Sequence, residues 1–228
     1  MSRTLFVAAG AALSLTVSSG ALGQADFKAA FVANNGNLQG SVTTYRVEAD
    51  GTLTWVAKYI TGERPNSTVY HPGTNAQAIS LSPNGRYVAT SHATSSDTVE
   101  QVTILRVHAD GSLTEALITS VPDSPLDILW ITNELFAVTR TSSPSEVRVY
   151  RFDPSVPSAT FVDSEPAGSF SSSLALRPDR TVLFAQDSTG NTVRSFSVAP
   201  DGQLTLVSAF GVGLFPLGLG ASADGRFL

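Results

Sequence analysis

From residue 28 onward, apolar and polar positions alternate in short runs, and turn residues break the runs before any helical period can build. Residues 41–47 show the pattern: Val42, Thr44 and Arg46 fall on one face, and Thr43, Tyr45 and Val47 on the other. The runs predict strands over 29–34, 41–47 and 53–60, then 76–81, 86–91, 99–107 and 112–120. Further strands are predicted over 126–131, 134–139, 146–152 and 159–164, then 172–176, 181–186, 192–198, 203–210 and 217–221.

Two kinds of turn punctuate these runs. The first reads Ser82-Pro83-Asn84-Gly85-Arg86-Tyr87-Val88 and returns as Arg177-Pro178-Asp179-Arg180-Thr181-Val182-Leu183 and Ser222-Ala223-Asp224-Gly225-Arg226-Phe227-Leu228, with a degenerate copy at Ile131-Thr132-Asn133-Glu134-Leu135-Phe136. Gly85, Asn133, Arg180 and Gly225 hold equivalent places, 48, 47 and 45 residues apart. The second is Asp-Gly, at Asp50-Gly51, Asp110-Gly111 and Asp201-Gly202, with Asp153-Pro154-Ser155 in its place once. Asp-Gly supplies the positive φ of a tight hairpin. A period of about 40–50 residues made only of strands and turns marks propeller blades.

The predicted fold class is therefore all-β: a β-propeller with four-stranded antiparallel blades, about four and a half of them present, as part of a seven-bladed ring. The blades fall at 26–61, 75–121, 126–165 and 171–211, with a fifth opening at 216–228. The first blade is expected to lack its innermost strand. A blade left half built exposes an unpaired edge, so the chain is expected to be the front part of a longer one.

Residues 1–25 stand apart. Arg3 gives a positive start, 5–17 is an apolar run, and Ala21-Leu22-Gly23 and Gly23-Gln24-Ala25 offer small residues at a cleavage site. This reads as a secretory signal peptide cut near Gly23 or Ala25, and so as a secreted or periplasmic protein, because the apolar run is shorter than the ~20 residues of a membrane span. No membrane span is expected after cleavage. Composition narrows the partners. Charged residues make up 14% of the chain, the net charge is −5 and there is no basic run, so nucleic acid is not an expected partner. Cysteine is absent, which excludes disulfides and thiolate metal sites. Three histidines and no metal-binding motif leave metal and cofactor both unexpected.

The turn at 82–88, the phrase Ala109-Asp110-Gly111-Ser112-Leu113-Thr114 and the strand Val102-Thr103-Ile104-Leu105-Arg106-Val107 between them resemble the lactonase family of seven-bladed propellers. That family holds propeller-type 6-phosphogluconolactonases and carboxymuconate cyclases, and the resemblance runs over about residues 27–228. It implies a propeller and a hydrolase or cyclase acting on a small lactone or organic acid. Active members carry an Arg-His pair entering an inner strand. The entries here read Thr74-Asn75-Ala76-Gln77, Ser124-Pro125-Leu126-Asp127, Ser169-Phe170-Ser171-Ser172 and Phe215-Pro216-Leu217-Gly218, and none has it.

In a propeller, loops leaving the second strand and loops entering the first share one end of the blade. The ends of the second strands align as Asn35, His92, Arg140 and Asp187. Lactone hydrolysis needs a base to activate water and a cation to steady the oxyanion. His92 with Asp187 suit the first task and Arg140 or Arg64 the second, and His92, Arg140 and Asp187 are the catalytic candidates. Asn35, together with Glu63, Arg64 and His71 of the 61–74 loop, are the substrate-binding candidates. The competing reading has these polar ends bonding loop backbone, and Arg140 pairing with Asp187 as an ion pair worth at most about 1 kcal/mol. His108 reads as a turn residue, and Trp55 and Trp130 as core. The functional alternative is a non-enzymatic propeller of the envelope or exterior that binds a protein or a glycan.

Overall fold

A computed structural model describes residues 7–9, 11–13, 15–18, 28–36, 39–63, 73–93 and 101–228, with the backbone alone for 7–18 and for 63. The described residues contain no helix, and therefore no helix long and apolar enough to cross a membrane. The chain divides into two compact units, residues 1–121 and 122–228.

The first unit opens on a small antiparallel pair, β1 (Val7–Ala9) with β2 (Ala11–Leu13). Its first blade orders β3 (Leu15–Ser18), β4 (Ala29–Asn34), β5 (Gln39–Val47) and β6 (Leu53–Glu63) as an antiparallel sheet. The second blade orders β7 (Ala76–Leu81), β8 (Tyr87–His92), β9 (Gln101–Val107) and β10 (Leu113–Ser120). The second unit holds the third blade, β11 (Ile128–Trp130), β12 (Leu135–Arg140), β13 (Ser145–Asp153) and β14 (Ser158–Gly168). It also holds the fourth, β15 (Ser171–Leu176), β16 (Val182–Asp187), β17 (Thr192–Val198) and β18 (Leu204–Gly211). Every blade is a four-stranded antiparallel meander, so the fold class is the all-β partial propeller that the turns predict.

Each blade is buried at its middle strands and open at its outermost one. All of β8 is buried, whereas β18 is exposed along most of its length. Middle strands that pack on both faces need unbroken apolar runs, which is why Tyr87-Val88-Ala89 and Leu135-Phe136-Ala137-Val138 do not alternate. In the first unit the core gathers Phe31, Val42, Ile79, Val88 and Leu105. In the second it gathers Leu135, Val147, Val149, Leu183 and Phe196. Trp130 is buried as expected, 2% exposed, and packs edge-on to Phe136 and Phe152 at 5.5 and 5.8 Å. Trp55 departs from its core expectation. It sits on the outermost strand β6 and is 62% exposed.

The turns behave as their chemistry requires. Asp50, Asp110 and Asp153 each accept a bond from the N–H two residues on and a second from that residue's hydroxyl, at 2.6–2.9 Å. Gly85, Arg180 and Gly225 share φ of 69°, 64° and 70°. Arg180 holds this left-handed conformation without being glycine. Its guanidinium donates to the Ile131 carbonyl at 2.8 Å, so its side chain ties the fourth blade to the third.

Three features differ from the expectations. The backbone of Leu15–Ser18 pairs with β4 and fills the innermost place of the first blade, which was expected to be empty. An unpaired strand edge offers a row of free N–H and C=O groups that any extended segment within reach can pair. The predicted strand at 217–221 does not form. Its turn closes through Ser222 N–H to the Phe227 carbonyl at 2.9 Å, while Leu219 N–H bonds the Ser173 hydroxyl at 3.2 Å and builds no ladder. The four blades also share a β-bulge between third and fourth strands, at Thr44/Tyr45, Glu115/Leu117, Val149/Tyr150 and Ser195/Phe196. No residue type marks it in the sequence.

Candidate functional site

Loops leaving second strands and loops entering first strands meet at one end of the blade in the second unit. Thr141 Oγ1 donates to the Ser124 carbonyl at 2.9 Å, and Ser188 N–H to the Phe170 carbonyl at 2.9 Å. The register defines which residues close the second strands. His92 stands opposite Gln101, Arg140 opposite Glu146 and Asp187 opposite Thr192. In the first blade the matching residue is Asn34, opposite Ser41, not the expected Asn35. Asn34 Nδ2 reaches Ser41 Oγ at 3.0 Å and Thr43 Oγ1 at 2.9 Å. Asn35, one residue further on, is exposed and donates to Gln77 Oε1 at 2.6 Å.

His92 is 0% exposed and both of its nitrogens are engaged. Nδ1 lies 3.1 Å from the Thr74 carbonyl and Nε2 2.9 Å from Thr103 Oγ1. A carbonyl only accepts, so Nδ1 carries the proton and Nε2 accepts from the threonine hydroxyl. Burial pushes the imidazole down to about 4, against the bond to Thr74, and keeps it neutral.

Arg140 is held between two carboxylates. Its Nη2 lies 2.7 Å from Asp123 Oδ2 and its Nη1 3.6 Å from Glu146, and Nη1 also donates to the Pro144 carbonyl at 3.1 Å. Its partners are thus Asp123 and Glu146 rather than the Asp187 considered from the sequence. The side chain remains 22% exposed.

Asp187 is 3% exposed and accepts backbone N–H groups from Ser169, Phe170 and Gly190, each at 3.0 Å. Burial raises its pKa, but the donors at Gly190, Ser169, Phe170 and Thr189 together outweigh burial and hold it below the usual carboxylate range. Two glycines make this clamp possible. A Cβ at Gly168, whose φ is +114°, or at Gly190 would run into the Asp187 carboxyl group.

Of the remaining binding candidates, Glu63 ends β6 with its backbone alone described, and Arg64 and His71 lie outside the described residues. His108 bonds Thr114 Oγ1 at 2.8 Å in its hairpin turn at the opposite end of the blade. Among the described residues, no cluster of three or more His, Asp or Glu side chains is placed to hold a metal ion.

Residues 24–155 match the family model described as lactonase, seven-bladed β-propeller. The chain belongs to the lactonase family. A search of curated proteins finds no match. Among solved structures, the periplasmic gluconolactonase of Pseudomonas aeruginosa superposes with a TM-score of 0.69 at 21% identity, over 87% of this chain and 60% of that one. A protein of Lactobacillus plantarum superposes at 0.62 with 18% identity, over 80% of this chain and 54% of that one. A proposed 6-phosphogluconolactonase of Bacteroides uniformis does so at 0.66 with 13% identity, over 94% of this chain and 72% of that one. At these identities the likeness is one of fold. The chain spans 60% and 54% of the length of the first two.

Within the lactonase fold, two inner strands carry a bulge just where they begin, between Ala76 and Ala78 and between Ser171 and Ser173. Bulges re-aim side chains near functional ends of sheets. The residues turned out are Gln77, which meets Asn35, and Ser172, which lies 2.9 Å from Ser188 Oγ. Gln186 Nε2 gathers this second cluster, facing Ser172 Oγ at 3.1 Å, Ser188 Oγ at 3.0 Å and the Pro216 carbonyl. The sequence offered no sign of Gln77, Ser172 or Gln186, because a bulge depends on pairing and not on composition.

Proposed function

We propose that this chain is part of an exported hydrolase that opens or rearranges a small lactone or cyclic acid at the loop-bearing end of its blades. The match to the lactonase family over residues 24–155 carries the reading. Opening a lactone requires an activated water and a positive group near the developing oxyanion. In this reading Arg140 is the cation. Its guanidinium is fixed by Asp123 and Glu146 and keeps part of its surface free for a ligand. His92 and Asp187 complete the proposed catalytic set, as a neutral imidazole and an ionised carboxylate that hold their loops in shape. Asn35, Glu63, Arg64 and His71 are proposed substrate contacts. Export rests on the leader-like segment 1–25, with cleavage near Gly23 or Ala25.

The test is hydrolysis of glucono-δ-lactone by the full-length protein, followed as acid release, with Arg140→Ala and Arg140→Lys beside the wild type. Loss of an oxyanion-stabilising group is expected to lower kcat by about 10²–10³, with partial recovery in the lysine variant. A wild-type protein no faster than buffer overturns the reading. An Arg140→Ala variant with unchanged kcat removes Arg140 from it.

A further inference from the structure

Two Asn-Gly pairs occur in the chain, Asn35-Gly36 and Asn84-Gly85. This dipeptide is chemically labile, because glycine has no side chain to keep its nitrogen from the amide carbon of the preceding asparagine. The attack requires the backbone to leave its folded geometry and bring that nitrogen against the side chain. The hold of the fold on each pair therefore decides which one reacts.

Asn84-Gly85 is held tightly. Gly85 is buried, and its N–H donates to the Ser82 carbonyl at 2.8 Å. Asn84 Oδ1 accepts the Ser82 hydroxyl at 2.8 Å and the Arg86 N–H at 3.0 Å. An aspartate makes the same bonds in the turn at 222–228, where Asp224 Oδ1 accepts Ser222 Oγ at 2.6 Å and the Arg226 N–H at 3.1 Å. Reaction at Asn84 gives up these hydrogen bonds of the repeated turn.

Asn35-Gly36 is placed differently. Asn35 is the first residue beyond β4 and is exposed. The Gly36 N–H donates to the Asn34 carbonyl at 3.0 Å, which makes a γ-turn centred on Asn35. So short a ring bends the hydrogen bond and weakens it. The Asn35 side chain is tied through Nδ2 to Gln77 Oε1 at 2.6 Å. Position 36 has little room for a side chain, because a Cβ there would stand 2.5 Å from the Gln39 carbonyl oxygen. The fold thus keeps the labile glycine behind an exposed asparagine. The Gly36 carbonyl accepts the Asn75 N–H and the Gln39 N–H, both at 3.2 Å, so this loop also ties the first blade to the entry of the second.

We propose that Asn35 is a site of spontaneous deamidation that loosens the tie between the first and second blades. The reaction needs no lactone turnover. The Gly36 nitrogen bonds Asn35 Cγ, the Cγ–Nδ2 bond breaks, and Nδ2 leaves as ammonia with the proton that the Gly36 nitrogen gives up. Water then opens the cyclic imide. Breaking the new Cγ–N bond leaves an aspartate in an unchanged backbone. Breaking the original peptide C–N bond leaves isoaspartate, whose main chain runs through the side-chain carbon and is one methylene longer. Both products replace the amide that donates to Gln77 with a carboxylate. The aspartate is accommodated, since Gln77 turns its own amide to donate. The longer chain of isoaspartate shifts Gly36 and draws its carbonyl away from Asn75.

The test incubates the full-length protein in mildly alkaline buffer and follows both asparagines by peptide mapping with mass spectrometry, with isoaspartate counted by enzymatic methylation. In the folded protein, conversion at Asn35 is expected to outrun that at Asn84 about tenfold, the factor that one or two additional hydrogen bonds impose. In denaturant the two rates are expected to converge. The isoaspartate fraction of aged protein is expected to lose hydrogen-exchange protection at the Asn75 N–H. Fresh Asn35→Asp should keep that protection, and Asn35→Gln should keep it on ageing. Equal rates in the folded protein, or faster conversion at Asn84, overturn the site. A gap of the same size in denaturant overturns the fold as its cause. An Asn75 N–H still protected in the isoaspartate fraction overturns the loosening.

Discussion

Replacing Asp187 with alanine tests how the blade-end loops are held. The carboxylate accepts three backbone N–H groups, from Ser169, Phe170 and Gly190. A hydrogen bond to a charged acceptor contributes about 1.5–3 kcal/mol, and the loss is largest where water cannot replace it. Ser169 and Gly190 are exposed and regain water, whereas Phe170 is half-buried. One bond lost in full and two lost in part give about 3 kcal/mol, or a drop of about 6–12 °C in Tm for a domain of this size. Asp187→Asn keeps one acceptor oxygen and is expected to lose about half as much. The pH dependence has a definite sign. A carboxylate held below its usual range contributes stability above the unfolded value and loses it as pH falls through the folded one, so wild type has an acid limb below about pH 4 that the alanine variant lacks.

Thermal melts of the full-length protein at neutral and acid pH measure both effects. Gly190→Ala closes a double-mutant cycle, because its Cβ meets the Asp187 carboxyl group. It should be costly with Asp187 present and mild without it. An alanine variant at position 187 that melts within about 1 °C of wild type, with the acid limb unchanged, refutes the clamp. So does a Gly190→Ala penalty equal in both backgrounds.

His92, neutral and pushed down to about 4, must take up a proton on unfolding. Stability is therefore complete above the unfolded histidine value and falls between about pH 6.5 and pH 4, by about 3 kcal/mol in total. Burial pushes the Asp127 carboxyl group up to about 7 and gives the opposite slope between about pH 4 and pH 7, so His92→Gln and Asp127→Ser each unmask the other's limb in acid titrations followed by melting. Thr103→Val takes away the hydroxyl that donates to Nε2 and should cost about 1–3 kcal/mol in denaturant unfolding. At Arg180, glycine relieves the left-handed backbone while alanine does not. Arg180→Gly should therefore be about 1 kcal/mol more stable than Arg180→Ala, though both lose the bond to Ile131. Intact mass of the exported protein should begin near residue 24 or 26, and a mass retaining residues 1–23 refutes cleavage.

Blade spacing and turn chemistry were legible without coordinates. Asp-Gly and Ser-Pro-Asn-Gly place a positive φ and an internal acceptor within a few residues, and such local demands are written in residue type. The same logic located the end of each blade at which second strands stop, because strand order alone decides it. What lay beyond was decided by pairing and packing. The one-residue difference between Asn34 and Asn35 is a matter of register, which any alternating strand tolerates until its partner is in place.

His92 and Asp187 look from sequence like a base and its carboxylate. Only the neighbouring Thr74, Thr103 and loop N–H groups make one a sealed neutral ring and the other a loop clamp. Asp127 passes in the chain as one more residue at a strand entry. Its character comes from enclosure against Leu174 and Ser173, 47 and 46 residues away. A side chain's charge state is set by the surroundings that replace water, and those surroundings are assembled from residues far apart in sequence.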